Sequence, residues 1–247
     1  MKKYLYIGII GALLIGGIFI LQPQSQPIQP ESQEQTFGGT SALVDSFDTY
    51  NDGDLNGQGS WTADVAYDVQ AVTVQAGAKA VSVTGVSSNI DATKLFTGAT
   101  TGNQVWWMRA SANNAYNGYA AIQEASVALD VAALRLDSNG YITYYTSAPV
   151  NLIAYSANTW YRCEIEWDTV ADQARYRAGT SDGSPGTWTS WVNFVVGRTA
   201  TTVDNVRVRV PTENTGTTFY FDSFSDPNAV PPVVPKKVLP PIIIEEI

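Results

Sequence analysis

Between residues 41 and 226 the chain is written almost entirely in short alternating runs, and that pattern limits the fold more than any other feature. "DVAYDVQAVTVQ", "KAVSVTG", "QVWWMRA", "LRLDSNGYITYY", "VRVRV" and "TFYFDSF" are its clearest members. A strand sends successive side chains to opposite faces, so each run supplies one buried face and one wet face. Gly, Asn, Asp and Ser separate the runs, and no long stretch repeats at the period of a helix. About a dozen strands at this spacing predict an all-β, two-sheet antiparallel sandwich.

The flanks differ in texture. After "MKK", residues 4–21 carry no charge, close to the roughly 20 residues that span a bilayer. No A-x-A-like site follows, which favours a signal anchor, a single transmembrane helix over residues 1–21, above a cleaved signal peptide. Lys2 and Lys3 precede the span and the next Lys or Arg is Lys79, so the bulk of the chain is expected outside the membrane. That predicts a single-pass cell-envelope protein, or a secreted one if the segment is removed. Gly8, Ala12 and Gly16 form a small-residue face of the kind that packs two anchors together, although glycine is also simply common in membrane helices. Residues 22–40, rich in Gln, Pro and Ser, read as an extended or disordered spacer. Residues 227–247 form a proline-punctuated tail whose "IIIEEI" end is either disordered or adds to the sheet edge of a protein partner.

Three counts exclude chemistry. The chain has no histidine, which removes Ser-His-Asp and Cys-His machinery and the usual zinc sites. Its single cysteine, Cys163, allows no intrachain disulfide and alternates with Ile165 and Trp167 as a small core residue. The net charge of −9 argues against nucleic acid or anionic lipid as main partners.

Two hairpins can be registered by hand. A Ser138-Asn139-Gly140 loop, with glycine in the left-handed position, pairs Asp137 with Tyr141 and sets Leu136 opposite Ile142 and Leu134 opposite Tyr144. Further on, Glu164, Glu166 and Asp168 share one face of a strand, an arrangement that invites comparison with the paired carboxylates of glycoside hydrolases. A four-residue loop over residues 169–172 sets Glu166 opposite Arg175 and Glu164 opposite Arg177. Cross-strand opposite charges are an ordinary stabilising device. Arginine neighbours also lower a carboxylate pKa, whereas a general acid needs it raised.

"VDSFDTYNDGDLNGQGSW", "NTWYRCEIEWDTVADQARYRAG" and "FYFDSFSD" together resemble the concanavalin A-like lectin/glucanase superfamily, in particular its laminin G-like jelly-roll modules. The resemblance covers roughly residues 43–226. It implies a jelly roll with neighbouring first and last strands, a concave face, and a carbohydrate-binding or adhesive role more often than a glycanase one. Laminarinase-type relatives carry E-x-D-x-x-E on a concave strand; here Glu164-Ile-Glu166-Trp-Asp168 is followed by Thr169, not an acid, at the last place.

Sugar sites need flat aromatic faces and directed polar groups. Trp106, Met108 and Ala110 have core parity, leaving Trp107 and Arg109 on the opposite face; Tyr119, Arg135 and Tyr145 are the outward residues of neighbouring strands. These five are the candidate ligand-binding residues, expected to line one concave face. Calcium is the one metal with suitable oxygen donors. The resemblance implies a structural ion near the paired terminal strands, at Asp45 and Asp222. Asp52, Asp54 and Asn56 open a second, EF-hand-like candidate, though Ala63 stands where the bidentate Glu belongs. The leading expectation is a non-catalytic glycan-binding surface module. A structural module assembling through a sheet edge or the tail is the alternative, and a glycan hydrolase or lyase is the third reading.

Overall fold

The computed structural model describes residues 42–85, 87–181, 184–212 and 216–225. The anchor, spacer and tail expected over 1–21, 22–40 and 227–247 lie outside the described residues. Within them there is no α-helix, and hence no helix long and apolar enough to cross a membrane. The strands, numbered in chain order, form two antiparallel sheets. The first contains β1 (Gly53–Asp54), β3 (Asp68–Gln70), β4 (Ala80–Thr84), β15 (Thr218–Ser225), β6 (Thr101–Ala110), β11 (Tyr161–Asp168), β12 (Gln173–Gly179) and β13 (Val192–Asn193), in that spatial order. The second runs β10 (Pro149–Ala154), β9 (Tyr141–Tyr145), β8 (Leu129–Leu136), β7 (Gly118–Glu124), β14 (Val203–Val210), β5 (Ile90–Ala99) and β2 (Thr62–Ala63). The predicted all-β, two-sheet antiparallel sandwich is what forms.

Alternation explains the core. Trp106, Met108 and Ala110 of β6, Ala132, Leu134 and Leu136 of β8, and Val206, Val208 and Val210 of β14 all point inward and are buried. Phe47, Trp61, Phe221 and Phe224 pack ring against ring, with centroids 5.6–6.2 Å apart, the separation at which edge and offset contacts are favourable. Phe221 and Phe224 are three positions apart and could not share a face of a regular strand. A register shift between Asp222 and Ser225, with Ser223 at φ 49°, resets the parity so that both reach the core. The first described segment lies beside the last strand: Asp45 N–H donates to the Phe224 carbonyl at 2.9 Å.

Both hand-registered hairpins are correct. Leu136 faces Ile142 and Leu134 faces Tyr144, with Gly140 at φ 79°. Glu164 faces Arg177, Glu166 faces Arg175 and Asp168 faces Gln173. "DVAYDVQAVTVQ" behaves differently, since only Asp68–Gln70 is a strand. Beyond it, side chains capture the amides that a ladder would use. Gln70 Oε1 accepts from Val72 and Thr73, Asp222 Oδ2 from Gln75 and Ala76, and Asp48 Oδ1 from Ala78 and Lys79. Local side-chain acceptors of this kind compete with sheet pairing, and Val72 is left 92% exposed.

Candidate functional site

The β11 carboxylates are structural in geometry. Glu164 is 0% exposed and accepts from Arg177 Nε at 2.8 Å, Arg177 Nη2 at 2.9 Å and Asn103 Nδ2 at 2.7 Å, with Arg162 also paired to it. Glu166 accepts from Arg175 Nε at 2.7 Å. The Trp188 ring stacks on both guanidiniums, 4.3 Å from Arg177 and 4.8 Å from Arg175. Burial raises the Glu166 carboxyl despite Arg175 beside it, the reverse of the lowering that the arginine alone would produce. Thr169, at the third motif position, spends its hydroxyl on the Thr201 carbonyl at 3.1 Å.

The five candidate ligand residues divide between the sheets, so they do not line one face. Trp107 and Arg109 sit on the first sheet, on β6 between β15 and β11. Trp107 points away from the core as its parity requires, yet it is only 6% exposed and offers a sugar no open ring. Arg109 lies 5.0 Å from the Tyr220 ring and donates to Asn158 Oδ1 at 2.9 Å. Tyr119, Arg135 and Tyr145 lie on the outer face of the second sheet, on adjacent strands β7, β8 and β9.

There a cleft of about 450 Å³ opens. Its floor crosses β14, β7, β8 and β9, contributing Arg207, Arg209, Tyr119, Asp130, Ala133, Arg135 and Tyr145. One wall is the Ala128–Leu129 turn; another is the loop carrying Val195 and Arg198. That loop is tied to β8 and to the residue after β9 by backbone bonds from the Val195 amide to the Val131 carbonyl and from the Val196 amide to the Thr146 carbonyl. Gly197 at φ 75° lets it turn, closing an Arg198-to-Val195 bond of 2.9 Å.

The floor is rigidly wired. The Arg135 guanidinium lies between Tyr116 and Tyr145, 4.1 and 4.3 Å from their rings, and pairs with Asp137. Arg209 makes a two-pronged pair with Asp91 at 2.7 and 2.6 Å. Arg207 pairs with Asp130 and donates to Tyr119 Oη at 2.7 Å, while Tyr119 Oη–H donates to Asp130 at 3.1 Å. Burial raises the Asp130 carboxyl and pushes the Tyr119 phenol up to about 12. Sequence reasoning missed Arg207 and Arg209, although the V-R-V-R-V alternation already put both on one outward face. It also missed Tyr116 and Arg198, which sit in loops and carry no periodic signal.

The calcium candidates do not fit an ion. Asp45 is ringed by donors: Lys94 Nζ at 2.7 Å, Trp61 Nε1 at 2.8 Å, Tyr50 Oη at 2.6 Å and the Phe47 amide at 2.9 Å. The Lys94 ammonium already supplies the positive charge a metal would bring. Asp222 instead binds the Gln75 and Ala76 amides. In the runner-up loop Asp52 pairs with Lys79, Asp54 accepts from the Asn56 amide, and Asn56 accepts from the Ala63 amide. Among the described residues no group of three or more acidic or thiol side chains is placed to hold a metal. Chelation of divalent ions should therefore leave the thermal midpoint of unfolding unchanged. A fall of about 5 °C, roughly 1.5–2.5 kcal/mol for a domain of this size, would restore an ion to the site.

The two-sheet antiparallel sandwich has the concanavalin A-like fold that the sequence resemblance implied. Solved structures with this architecture include a sialidase (TM-score 0.57, 12% identity over 76% of this chain). They also include the catalytic domain of a glycoside hydrolase family 131 protein from Coprinopsis cinerea (0.50, 11%, 76% of this chain and 95% of that one) and the transglycosylase Crh5 (0.50, 13%, 77% and 85%). The chain spans 19% of the sialidase. No family model and no curated protein matches it in sequence.

Proposed function

We propose that the chain is a non-catalytic glycan-recognition module of the cell envelope, anchored by residues 1–21 and presented outside the membrane on the 22–40 spacer. The cleft on the second sheet carries this reading. It is concave, pre-formed, floored by strands, and lined by tyrosine rings beside fixed hydrogen-bond donors, which is the chemistry a sugar needs. The fold it shares with a sialidase, a glycoside hydrolase and a transglycosylase agrees with a saccharide ligand.

Absence of catalysis rests on the same residues. Glycoside hydrolysis by two carboxyls needs them about 5–9.5 Å apart across the bond. Asp130 is the one carboxylate among the described residues lining the cleft, and it is spent on Arg207 and Tyr119. A tyrosine base for an elimination reaction needs a lowered phenol pKa, and that of Tyr119 is raised. Affinity electrophoresis of the full chain through gels loaded with polysaccharides tests the proposal. At least one polymer should retard it, and Tyr145→Ala should weaken the retardation by about tenfold, or ~1.4 kcal/mol. Turnover of a retained polymer, with release of reducing or unsaturated ends, would replace binding with catalysis.

A further inference from the structure

We propose that the glycan recognised in this cleft is acidic, and that Arg198 meets its carboxylate or sulfate group. The inference rests on the glycan reading above and specifies its ligand. Four of the chain's eight arginines line the cleft, in a protein whose net charge is −9. Three of these four have carboxylate partners: Asp137 for Arg135, Asp130 for Arg207 and Asp91 for Arg209. Arg198 has none. No hydrogen bond or ion pair of its side chain is found among the described residues, and its Nε is buried without an acceptor. Arg135 Nε and Arg207 Nε, in the same cleft, are likewise buried without an acceptor.

Arg198 is thus the one cleft guanidinium without a carboxylate partner among the described residues. A neutral sugar can offer it hydroxyl oxygens, but it leaves the Arg198 charge uncompensated. A carboxylate or sulfate supplies both the oxygens and the charge, and the planar guanidinium fork matches either group. Asp130 is the one acid among the described residues of the lining, and it is taken up by Arg207. Of the other four arginines, all on the first sheet, Arg162 and Arg177 pair with Glu164, Arg175 pairs with Glu166, and Arg109 donates to Asn158 Oδ1 and lies over the Tyr220 ring. The overall negative charge opposes indiscriminate binding of polyanions, so retention of an acidic polymer has to come from a local site.

The test compares the detergent-solubilised full chain on polygalacturonate, dextran sulfate, neutral dextran, laminarin and galactomannan, with poly-L-glutamate as a charged polymer without sugar. One of the two acidic polysaccharides should bind about tenfold or more tightly than any neutral one, a difference of ~1.4 kcal/mol. Which of them binds separates a carboxylate from a sulfate ligand. Arg198→Gln should abolish that preference without moving the thermal midpoint, because its side chain has no partner to lose. Arg198→Lys, which keeps the charge but not the fork, should restore it in part. Preferential binding of a neutral polymer, or equal binding of poly-L-glutamate, would overturn the acidic glycan, and an acidic preference untouched by Arg198→Gln would overturn the assignment of its anion to Arg198. Silence on all five polysaccharides would overturn glycan recognition itself, and the acidic ligand with it.

Discussion

Glu164→Ala should destabilise the domain by about 3–5 kcal/mol, the range found when one partner of a buried ion pair is removed. The carboxylate is fully buried and serves as common acceptor for Arg162, Arg177 and Asn103. Alanine leaves the Arg177 guanidinium, held under Trp188, without its one carboxylate among the described residues. The loss is read as a lower urea midpoint at unchanged slope. Glycan retention by the fraction that still folds should match the parent, since the cleft lies on the other sheet. A stable Glu164→Ala protein that had lost glycan binding or turnover would instead make β11 a functional strand.

Asp222→Asn should act in the opposite sense. Asp222 is fully buried, and burial outweighs the hydrogen bonds from Gln75, Ala76 and Ser223, raising its carboxyl to about 6. The unfolded carboxyl titrates near 3.9. Between about pH 4 and pH 6 the folded protein therefore holds a proton that the unfolded chain has released, and stability falls as pH rises through that window. Asparagine keeps an acceptor for the two amides and carries no charge. The variant should match the parent near pH 4 and exceed it at pH 7 by on the order of 3 kcal/mol, the free energy that separates the folded and unfolded titrations of this carboxyl. Equal stability of the two proteins at both pH values would mean that Asp222 is ionised without penalty.

Local pairings were readable from the sequence, and distant ones were not. Leu136 opposite Ile142 and Glu166 opposite Arg175 follow from short loops and strict alternation, where a slip of one residue would bury charge. The parity of β6 was equally legible, with Trp106 inward and Trp107 outward. Parity does not say which sheet a strand joins, however. The neighbours of β6 are β11 and β15, more than fifty residues away in sequence, and this separates Trp107 and Arg109 from Tyr119, Arg135 and Tyr145. Residues 71–76 alternate like a strand and are not one, because Gln70 and the remote Asp222 take their amides. Arg198 owes its place to a loop crossing, for which a single sequence carries no periodic mark.

The placement of β14 and β15 has a consequence for synthesis. β14 is hydrogen-bonded between β5 and β7, and β15 between β4 and β6. Each sheet is thus completed by one of the last two described strands to leave the ribosome. Until residue 203 and those after it emerge, β5, β7, β4 and β6 each present an open edge, the kind of surface that recruits other chains. Closing both sheets requires long-range pairing, which is slow. The cleft inherits this timing, because Arg207 and Arg209 arrive with β14. A nascent chain lacking β14 would have Tyr119 and Arg135 but not Arg207 and Arg209, so completion of the cleft marks closure of the second sheet.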